Sequence, residues 1–509
     1  MKSTNLFVSA FVMAASVATT ATAKDPPNVF LPGYAPADQQ TNFLTFLGKY
    51  IPENPTTAKA YYKAIDPDNK KVTFTQWLVK AGFIGKESDW RPTGPQIIKL
   101  GQPTGEYGPN IINADSRVIV INNADLGFVR NQFIRCKPSC TAKNPIIYTY
   151  LENYPVDVAD KKFGFPTPEE AKTAILNAND RNVNNVRSLD RIADVAFEWA
   201  PPPDGSSPGT RYAQLYAYVF HRDSGTGAIT ESRNWFDDPT DLAKLNNRAS
   251  DAFPPTSPLV AGDPFAPELD AHGFKQNPGV CFMCHGGAPQ ALSSTGQYPR
   301  QGLVNGFKFL PLDIPSLLFT SDNDSGDVLS RAAQEEQIKK YNQAVLITHK
   351  ARLVNGVWKG PMFFDDQGVW RTTHAVESIL GWYGGPTMPS PTQNTEFVPI
   401  GWRDVEHGGD LAIGTTDLYL KTVAPACRSC HFQRGDDSDF GTAASFDANK
   451  SDILELVLKP ECQSSNPPPG KRVMPAAKRT FDRFWLKDQD EPLKKHYGFT
   501  STSYCDSLN

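Results

Sequence analysis

Two short cysteine–histidine motifs carry the chemistry that this sequence offers. The first reads CFMCH and spans residues 281–285, and the second reads CRSCH and spans residues 427–431, 146 positions further along the chain. Their reactive residues are Cys281, Cys284 and His285 in the first motif and Cys427, Cys430 and His431 in the second. Because the chain has only eight cysteines and eight histidines, two such matches are not expected by chance.

Three kinds of site use these residue types. Zinc would take both thiolates and the imidazole, but it would need a fourth ligand at each motif. A thioredoxin-like redox pair would use the thiols alone. Covalent haem attachment uses all three residues, because the thiols add to the two vinyl groups of the porphyrin and the next residue coordinates the iron. Only this reaction requires a histidine directly after the second cysteine, so the sequence predicts two c-type haems.

Met474 is the predicted sixth ligand of the second haem. It lies in the stretch KRVMPAAKRTFDRFW, where a Met-Pro pair precedes a segment whose apolar residues recur at helical spacing. This order is similar to that of class I cytochromes c, in which a methionine beside a proline is followed by a closing helix. We therefore expect His431 and Met474 to be the two axial ligands, and a methionine that only fills a gap in the core is the alternative.

The sixth ligand of the first haem stays open. No methionine follows His285 at a comparable spacing, and the candidates are His349, Met362, His374 and Met388. If one of them fills the position, both irons relay electrons. If none does, the iron binds a small molecule, and the protein is a haem enzyme that acts on peroxide, dioxygen or a small oxidisable substrate.

Residues 1–23 predict export. A basic start at Lys2 is followed by an apolar run over residues 6–17 and by an Ala-Thr-Ala site, which together indicate a signal peptide cleaved after Ala23. The apolar run is too short to span a bilayer easily, so a membrane anchor is the weaker alternative. We therefore expect a periplasmic protein with no membrane span in the mature chain.

Four further cysteines lie outside the motifs, and in an oxidising compartment they favour disulfides. The predicted pairs are Cys136 with Cys140 and Cys462 with Cys505. A crossed pairing, which would tie the N-terminal region to the C-terminal segment, stays open. The same compartment is the one in which c-type haem is attached.

A chain of 509 residues is long enough for several domains. Its 39% hydrophobic and 21% charged residues are usual for a soluble globular protein, and a net charge of −4 gives no electrostatic support to nucleic-acid binding. The expected fold class is an α+β N-terminal domain, residues 24–255, followed by mainly α cytochrome c-like haem regions. These are the first haem region at 256–405 and the second, class I cytochrome c-like domain at 406–509.

Periodicity locates the elements that must position the motifs. Residues 24–120 predict mainly helices, and strands follow from Arg117 in RVIVIN, PIIYTYLENY and ADVAFEWAP. A hairpin is predicted from Tyr212–Phe220 and Ile229–Phe236. The segment LSRAAQEEQIKKYNQAVLITH predicts an amphipathic helix between the motifs, and TTDLYLKTVAPACRSCH predicts a helix that leads into the second motif.

Several segments resemble a bacterial family of exported dihaem proteins, the cytochrome c domain-containing proteins. They are NNADLGFVRNQF, VAFEWAPPP, CFMCHGG, FKFLPLDIPS, RAAQEEQIKKYNQAV, GWYGGP, CRSCH and MPAAKRTFDRFW, and they cover the chain from about residue 40 to 490. The resemblance implies haem binding and electron transfer, with one haem on the residues Cys281, Cys284 and His285 and the other on Cys427, Cys430, His431 and Met474. It implies no substrate.

The spacing of the motifs also resembles that of dihaem cytochrome c peroxidases, which pair an electron-transfer haem with a peroxide-reacting haem. This chain departs from them in the long segment before Cys281 and the shorter one after His431. The sequence therefore predicts a dihaem c-type cytochrome that exchanges electrons with redox partner proteins. A haem enzyme with catalysis at the first haem is the alternative.

Overall fold

The architecture is taken from a computed structural model of the chain. It describes residues 55–90, 96–101, 107–123, 127–154, 156, 166–180, 193–205, 207, 209–222, 229–233, 278–287, 290–300, 303, 307–324, 326–364, 370–403, 406–407, 410–411, 415–432, 437–458 and 478–499. The predicted signal peptide, the predicted ligand Met474 and the predicted pair Cys462 and Cys505 lie outside these residues.

Strands dominate the region before the first motif. They are β1 (Ile97–Leu100), β2 (Ile111–Ala114), β3 (Ser116–Asn122), β4 (Val129–Lys137), β5 (Ile146–Tyr154), β6 (Ala193–Ala200), β7 (Tyr212–Arg222), β8 (Ile229–Ser232) and, after the motif, β9 (Leu317–Leu318). Within the described residues, β3 to β9 form one antiparallel sheet in the order β8-β7-β6-β5-β4-β3-β9, while β1 and β2 form a separate parallel pair. The strand β9 thus joins the segment after the first motif to the N-terminal sheet.

Most of the predicted strands are confirmed. The segments RVIVIN, PIIYTYLENY and ADVAFEWAP form β3, β5 and β6, and the predicted hairpin forms β7 and β8. The prediction of helix up to residue 120 is wrong for β1 and β2, because their pairing joins Ile97 to Ile111 across an intervening segment and leaves no local periodicity. The predicted disulfide between Cys136 and Cys140 is confirmed, with an S–S distance of 1.99 Å.

Helices are found on both sides of the sheet and after it. They are α1 (Pro55–Ile65), α2 (Phe74–Ala81), α3 (Pro168–Asp180), α4 (Gly279–His285), α5 (Arg331–Thr348), α6 (His374–Trp382), α7 (Thr415–Leu418), α8 (Arg428–His431), α9 (Ala443–Ala448), α10 (Lys450–Ile453), α11 (Lys478–Leu486) and α12 (Asp490–His496). Two π-type stretches occupy Tyr419–Cys427 and Leu454–Leu458, and 3-10 turns occupy Glu87–Asp89, Ile314–Ser316, Ile400–Trp402 and Asp437–Asp439. Three short antiparallel strand pairs are β10 (Arg352–Val354) with β11 (Val357–Lys359), β12 (Phe363–Phe364) with β13 (Trp370–Arg371), and β14 (Glu406–His407) with β15 (Asp410–Leu411).

The two faces of the sheet pack against different parts of the chain. Side chains alternate along a strand, so Tyr150 of β5 lies on one face and Thr149 on the other. Tyr150 stacks on Phe133 and meets Phe74 of α2 edge-on, with ring centroids 4.6 and 5.3 Å apart. On the opposite face, Phe197, which pairs with Thr149, contacts the first motif. The sheet therefore separates the N-terminal helices from the motif.

The predicted helix between the motifs is confirmed as α5, and it closes one edge of the sheet. The Ser330 hydroxyl caps its first turn by accepting from the amide of Ala333. The Gln334 side chain accepts from the amide of Ile119 at 2.7 Å and donates to the carbonyl of the same residue at 3.0 Å. Strand β9 pairs with only two residues of β3. Gln334 hydrogen-bonds the main chain of Ile119 next to that pairing, as a neighbouring strand would.

A second core surrounds the second motif. The helix α7, the π-type stretch and α8 follow one another without a break. Pro425 lies within the π-type stretch, and because proline has no amide hydrogen it donates no main-chain hydrogen bond there. Leu418, Tyr419 and Val423 are buried, and Trp485 of α11 packs in the same cluster. Among the helices that the structure describes, none combines the length and apolar composition that a bilayer crossing requires.

The contact of Gln334 with β3 gives a first prediction. Gln334→Leu leaves the buried amide and carbonyl of Ile119 without these partners, and we expect the free energy of unfolding to fall by about 2–4 kcal/mol. Urea denaturation measures the change. The control is Glu336→Leu on the same helix, where the side chain is exposed and pairs only with Lys340. Equal effects of the two substitutions would contradict the role of Gln334.

Candidate functional site

The first motif lies on the short helix α4. Pro278 precedes this helix, and Gly286 ends it with a φ of 78°, a conformation that favours glycine. Cys281 and Cys284 are three positions apart, so their thiols lie on the same side of the helix. Neither thiol forms a disulfide, and both residues are partly buried. The helix presents two neighbouring thiols, as attachment to two vinyl groups requires.

The imidazole of His285 is held in one tautomer. Its Nδ1 lies 2.8 Å from the carbonyl oxygen of Lys308, and because a carbonyl only accepts, Nδ1 carries the proton. Burial lowers the pKa of His285 to about 4, and the bond to Lys308 opposes this shift only in part. The ring is therefore neutral at physiological pH with its lone pair on Nε2, the state in which histidine binds a metal ion.

The second motif repeats this arrangement. Nδ1 of His431 lies 2.6 Å from the carbonyl oxygen of Ser438, at the 3-10 turn that follows α8. Because a carbonyl only accepts, Nδ1 again carries a proton, which leaves Nε2 as the nitrogen that faces away from this bond. Both motif histidines are thus oriented for a metal by a main-chain carbonyl from a later segment.

An aromatic ring lies almost parallel to each imidazole. Phe307 stacks on His285 with ring centroids 4.9 Å apart and 11° between the planes. Phe440 stacks on His431 with centroids 3.8 Å apart and 13° between the planes. In each motif the ring comes from the segment that also supplies the carbonyl. The carbonyl and the ring together fix the direction in which Nε2 points.

The two motifs lie in contact, although they are far apart along the chain. The sulfur atoms of Cys284 and Cys430 are 3.5 Å apart, well beyond the length of a disulfide bond of about 2.0 Å. Beside them the hydroxyl oxygens of Ser316 and Ser429 are 3.3 Å apart. Groups bound to these two thiols are therefore held next to each other.

A buried ion pair joins the segments that support the motifs. Arg428 lies between the two cysteines of the second motif, and Asp313 lies in the segment that supports His285. The guanidinium donates from Nε to Oδ2 at 2.9 Å and from Nη2 to Oδ1 at 2.7 Å. The side chains are only 0% and 3% exposed. Because neither charge reaches water, each depends on the other for compensation, and the bidentate geometry fixes their relative orientation.

Tyr419 and His374 extend this pair to the second imidazole. Nη1 of Arg428 donates to the hydroxyl of Tyr419 at 3.1 Å, and that hydroxyl lies 3.1 Å from Nε2 of His374. Nδ1 of His374 lies 2.7 Å from the carbonyl oxygen of Asp439, so it donates there and Nε2 accepts from Tyr419. Burial lowers the pKa of His374 to about 3, which keeps the ring neutral. Asp439 stands between Ser438 and Phe440, so one network connects the supports of both histidines.

A small cavity lies beside His285. Its volume is about 60 Å³, which is room for a few water molecules. Arg130, Gln132 and Thr149 of the sheet line it, together with Tyr341 of α5. The N-terminal sheet therefore contributes polar side chains next to the imidazole of the first motif.

The two candidate histidines for the sixth position of the first haem are engaged elsewhere. His374 uses both ring nitrogens in the network around Tyr419. Nε2 of His349 lies 3.3 Å from the carbonyl oxygen of Phe309, and burial lowers the pKa of this histidine to about 3. Neither is among the described residues that line the cavity beside His285.

The candidate methionines also lie away from that cavity. Met362 is 56% exposed, whereas Met388 is buried in the main core and has a left-handed backbone with a φ of 47°. Among the described residues, no methionine lines the cavity beside His285. Met474, the predicted ligand of the second haem, lies outside the described residues and stays a prediction.

The donor sets of the motifs fit a haem better than the two alternatives. In the described part of the chain, one group of three ligand residues converges within 4.8 Å, namely Asp115 with the disulfide-bonded Cys136 and Cys140, so neither motif is shaped as a zinc site. Burial raises the pKa of Cys427 to about 12, whereas a thioredoxin-like cysteine needs a lowered pKa. Free thiols beside a neutral, oriented imidazole are what covalent haem attachment uses.

The supporting residues were not identified from the sequence. Phe307, Lys308 and Asp313 all lie in or next to FKFLPLDIPS, a segment that carries the family resemblance but has no chemical signature of its own. Every residue type has a main-chain carbonyl, so the sequence does not show which carbonyl orients a histidine. The one available signal was an acidic residue, Asp313, within an otherwise apolar stretch, which indicates a buried partner of opposite charge.

Compared with the families of known proteins, with curated proteins and with solved structures, the chain gives no match. The resemblance to exported dihaem proteins therefore stays a prediction from the motifs. The geometry around His285 and His431 shows an imidazole in each motif that is oriented by a main-chain carbonyl and an aromatic ring.

The ion pair gives a second prediction. Asp313→Asn leaves the Arg428 guanidinium buried without its counter-charge, and we expect the free energy of unfolding to fall by about 3–5 kcal/mol. The double variant Asp313→Leu with Arg428→Met removes both charges and should lose less than the single variant. Chemical denaturation of each variant measures the difference.

The matched control for this prediction is an exposed pair. Lys421 and Asp417 are 2.7 Å apart, but their side chains are 62% and 55% exposed. Asp417→Asn should cost no more than about 1 kcal/mol. A loss for Asp313→Asn as small as that of the control would show that the buried pair does not hold the two segments together.

Proposed function

We propose that this protein is an exported c-type cytochrome with two haems that transfers electrons between redox partner proteins. The observation that carries the proposal is the repeated support of the motif histidines. In both motifs a carbonyl holds Nδ1, an aromatic ring packs on the imidazole, and two cysteines that form no disulfide precede it. A thiol redox pair has no need of this support, and among the described residues neither motif brings its thiols and imidazole within 4.8 Å of one another, as a zinc site requires.

The residues that would hold the haems follow from the motifs. The thiols of Cys281 and Cys284 would bind one porphyrin and those of Cys427 and Cys430 the other, with His285 and His431 as axial ligands through Nε2. A haem bound in this way supplies an iron that takes up and releases one electron. The chain keeps His285 neutral, and it orients both histidines through their bonds to main-chain carbonyls.

The contact between the motifs favours electron transfer from one site to the other. The thiols of Cys284 and Cys430 lie 3.5 Å apart, so the groups attached to them are neighbours. The network from Asp313 to Asp439 is buried and hydrogen-bonded, so it resists movement when the charge at either site changes. A rigid surrounding of this kind suits a site that changes charge without changing shape.

The proposed second haem region is cytochrome c-like, with Met474 as the sixth ligand. The helix predicted to follow this methionine is present as α11, and Phe484 and Trp485 on it are buried. They pack in the cluster that includes Tyr419 and Phe440. A dry apolar surrounding and methionine ligation both raise the potential of a haem.

The proposed location is the periplasm. The predicted signal peptide spans residues 1–23, with cleavage after Ala23. The disulfide between Cys136 and Cys140 supports an oxidising compartment. The redox partners proposed for the protein are soluble or membrane-bound carriers of that compartment.

The proposal predicts two covalent haems per chain. In an alkaline pyridine assay the purified protein should give two haems per polypeptide, and the double variant Cys427→Ala with Cys430→Ala should give one, because only the first motif can still form thioethers. The matched control is Cys136→Ala with Cys140→Ala, which removes two cysteines of the disulfide and should leave both haems. Stoichiometric zinc without haem would refute the proposal.

A haem enzyme with catalysis at the first haem is the second candidate. It is favoured by one observation, the cavity beside His285 with Arg130, Gln132 and Tyr341 in its lining. None of the four candidate ligands is among the described residues that line this cavity. The hydrogen-bond donors of this cavity would orient a small polar substrate that binds beside the first motif.

Carbon monoxide distinguishes the two candidates. If the first iron is open, carbon monoxide should change the visible spectrum of about half of the haem in the fully reduced protein. Met474→Ala serves as the positive control, because it should open the second iron and increase the fraction that responds. A response of this variant together with an unchanged wild-type spectrum would eliminate the enzyme and leave the electron carrier.

A further inference from the structure

A second, larger cavity lies on the other side of the segment that supports His285. Its volume is about 750 Å³, within the range of small-molecule binding sites. The loop over residues 140–145, the residues before β7, the segment at Phe307 and Lys308, and the hairpin of β10 and β11 enclose it. The cavity is distinct from the one beside His285, and the proposed electron transfer does not use it.

The charged side chains among the described residues that line this cavity are all basic. Its lining includes five basic residues, which are Lys143, Arg211, Lys308, Lys350 and Arg352. No aspartate or glutamate is among the described residues that line it. The chain as a whole carries a net charge of −4, so this concentration of positive charge is local. A concave surface with one sign of charge raises the local concentration of ions of the opposite sign.

The five cations differ in how they are held. Lys143, Lys350 and Arg352 are exposed, and none of the three forms an ion pair with another described residue. Arg211 is fixed by donating from Nε to the carbonyl of Pro145 at 3.1 Å and from Nη2 to that of Asn144 at 2.9 Å.

The remaining lining is apolar and partly aromatic. Trp199 and Trp358 are nearly buried, with exposed fractions of 8% and 6%, and Phe307 belongs to the same lining. Leu353 and Val354 on β10 are exposed, although they are large and apolar. Flat rings beside cations match a ligand that has an aromatic body and an anionic group.

We propose that this cavity binds a small aromatic anion. Inorganic phosphate or sulfate would leave the tryptophan walls without a contact, and a neutral aromatic compound would leave Lys143, Lys350 and Arg352 without a counter-charge. Phe307 and Lys308 line the cavity and also hold the imidazole of His285. If the proposed function is correct, a bound anion therefore contacts the same two residues that position the iron ligand His285.

Calorimetric titration of the holoprotein tests the site with 8-anilinonaphthalene-1-sulfonate as the anion and N-phenyl-1-naphthylamine as its neutral counterpart. We expect one site per chain for the anion and an affinity that is roughly tenfold lower or worse for the neutral compound. Raising the salt concentration should weaken binding of the anion only, since the cations are partly exposed.

Matched double variants locate the site. Lys350→Ala with Arg352→Ala should weaken the binding of the anion roughly tenfold or more, because both cations belong to the lining. Lys70→Ala with Lys340→Ala removes the same charge at exposed positions outside it and should leave the affinity unchanged. Because all four side chains lie at the surface, unchanged unfolding midpoints should confirm that the variants fold.

Three results would overturn the proposal. These are no binding of the anion to the wild type, several weak sites in place of one, or equal losses in both double variants. A fourth concerns the haem, whose propionates are also carboxylates. If the wild type does not bind the anion, while Lys350→Ala with Arg352→Ala lowers the haem content or the potential of the first haem, the cations hold the propionates. That result would leave the proposed electron transfer intact and exclude a free ligand.

Discussion

The buried ion pair between Arg428 and Asp313 is the contact on which the arrangement of the two motifs depends. Burying two charges is costly, and the cost is offset only when the pair is well aligned and fully hydrogen-bonded. The structure meets this condition with two bonds to the carboxylate and a third to Tyr419. Arg428 lies inside the second motif, and Asp313 lies in the segment that holds the imidazole of the first motif. Any movement of one motif relative to the other would therefore expose or separate these two charges.

The N-terminal sheet acts as a wall of the site. Residues of one face, such as Phe197 and Thr149, lie at the first motif, while Tyr150 on the other face packs on the N-terminal helices. The segment after the motif pairs with β3 through β9. The first motif therefore rests on a scaffold of packed strands, and polar residues of the sheet line the cavity beside His285.

Local patterns in the sequence were sufficient for many elements. Alternation and β-branched residues predict β3, β5 and β6, and helical spacing predicts α5 and the helix that leads into Cys427. The spacing of cysteine and histidine predicts the reactive residues of both motifs. Contacts between distant segments were not predictable, since nothing local couples Asp313 to Arg428, Lys308 to His285 or Gln334 to Ile119. These contacts arise from the tertiary packing of main-chain carbonyls and single polar side chains.

Circular dichroism in the Soret region tests the central claim, that the two motifs hold two haems next to each other. Neighbouring haems couple their electronic transitions, and the coupling falls steeply with distance. Because Cys284 and Cys430 are 3.5 Å apart, the protein should show a pair of bands of opposite sign, and Cys427→Ala with Cys430→Ala should reduce it to a single band. A wild-type spectrum with a single band at full haem content would contradict the account.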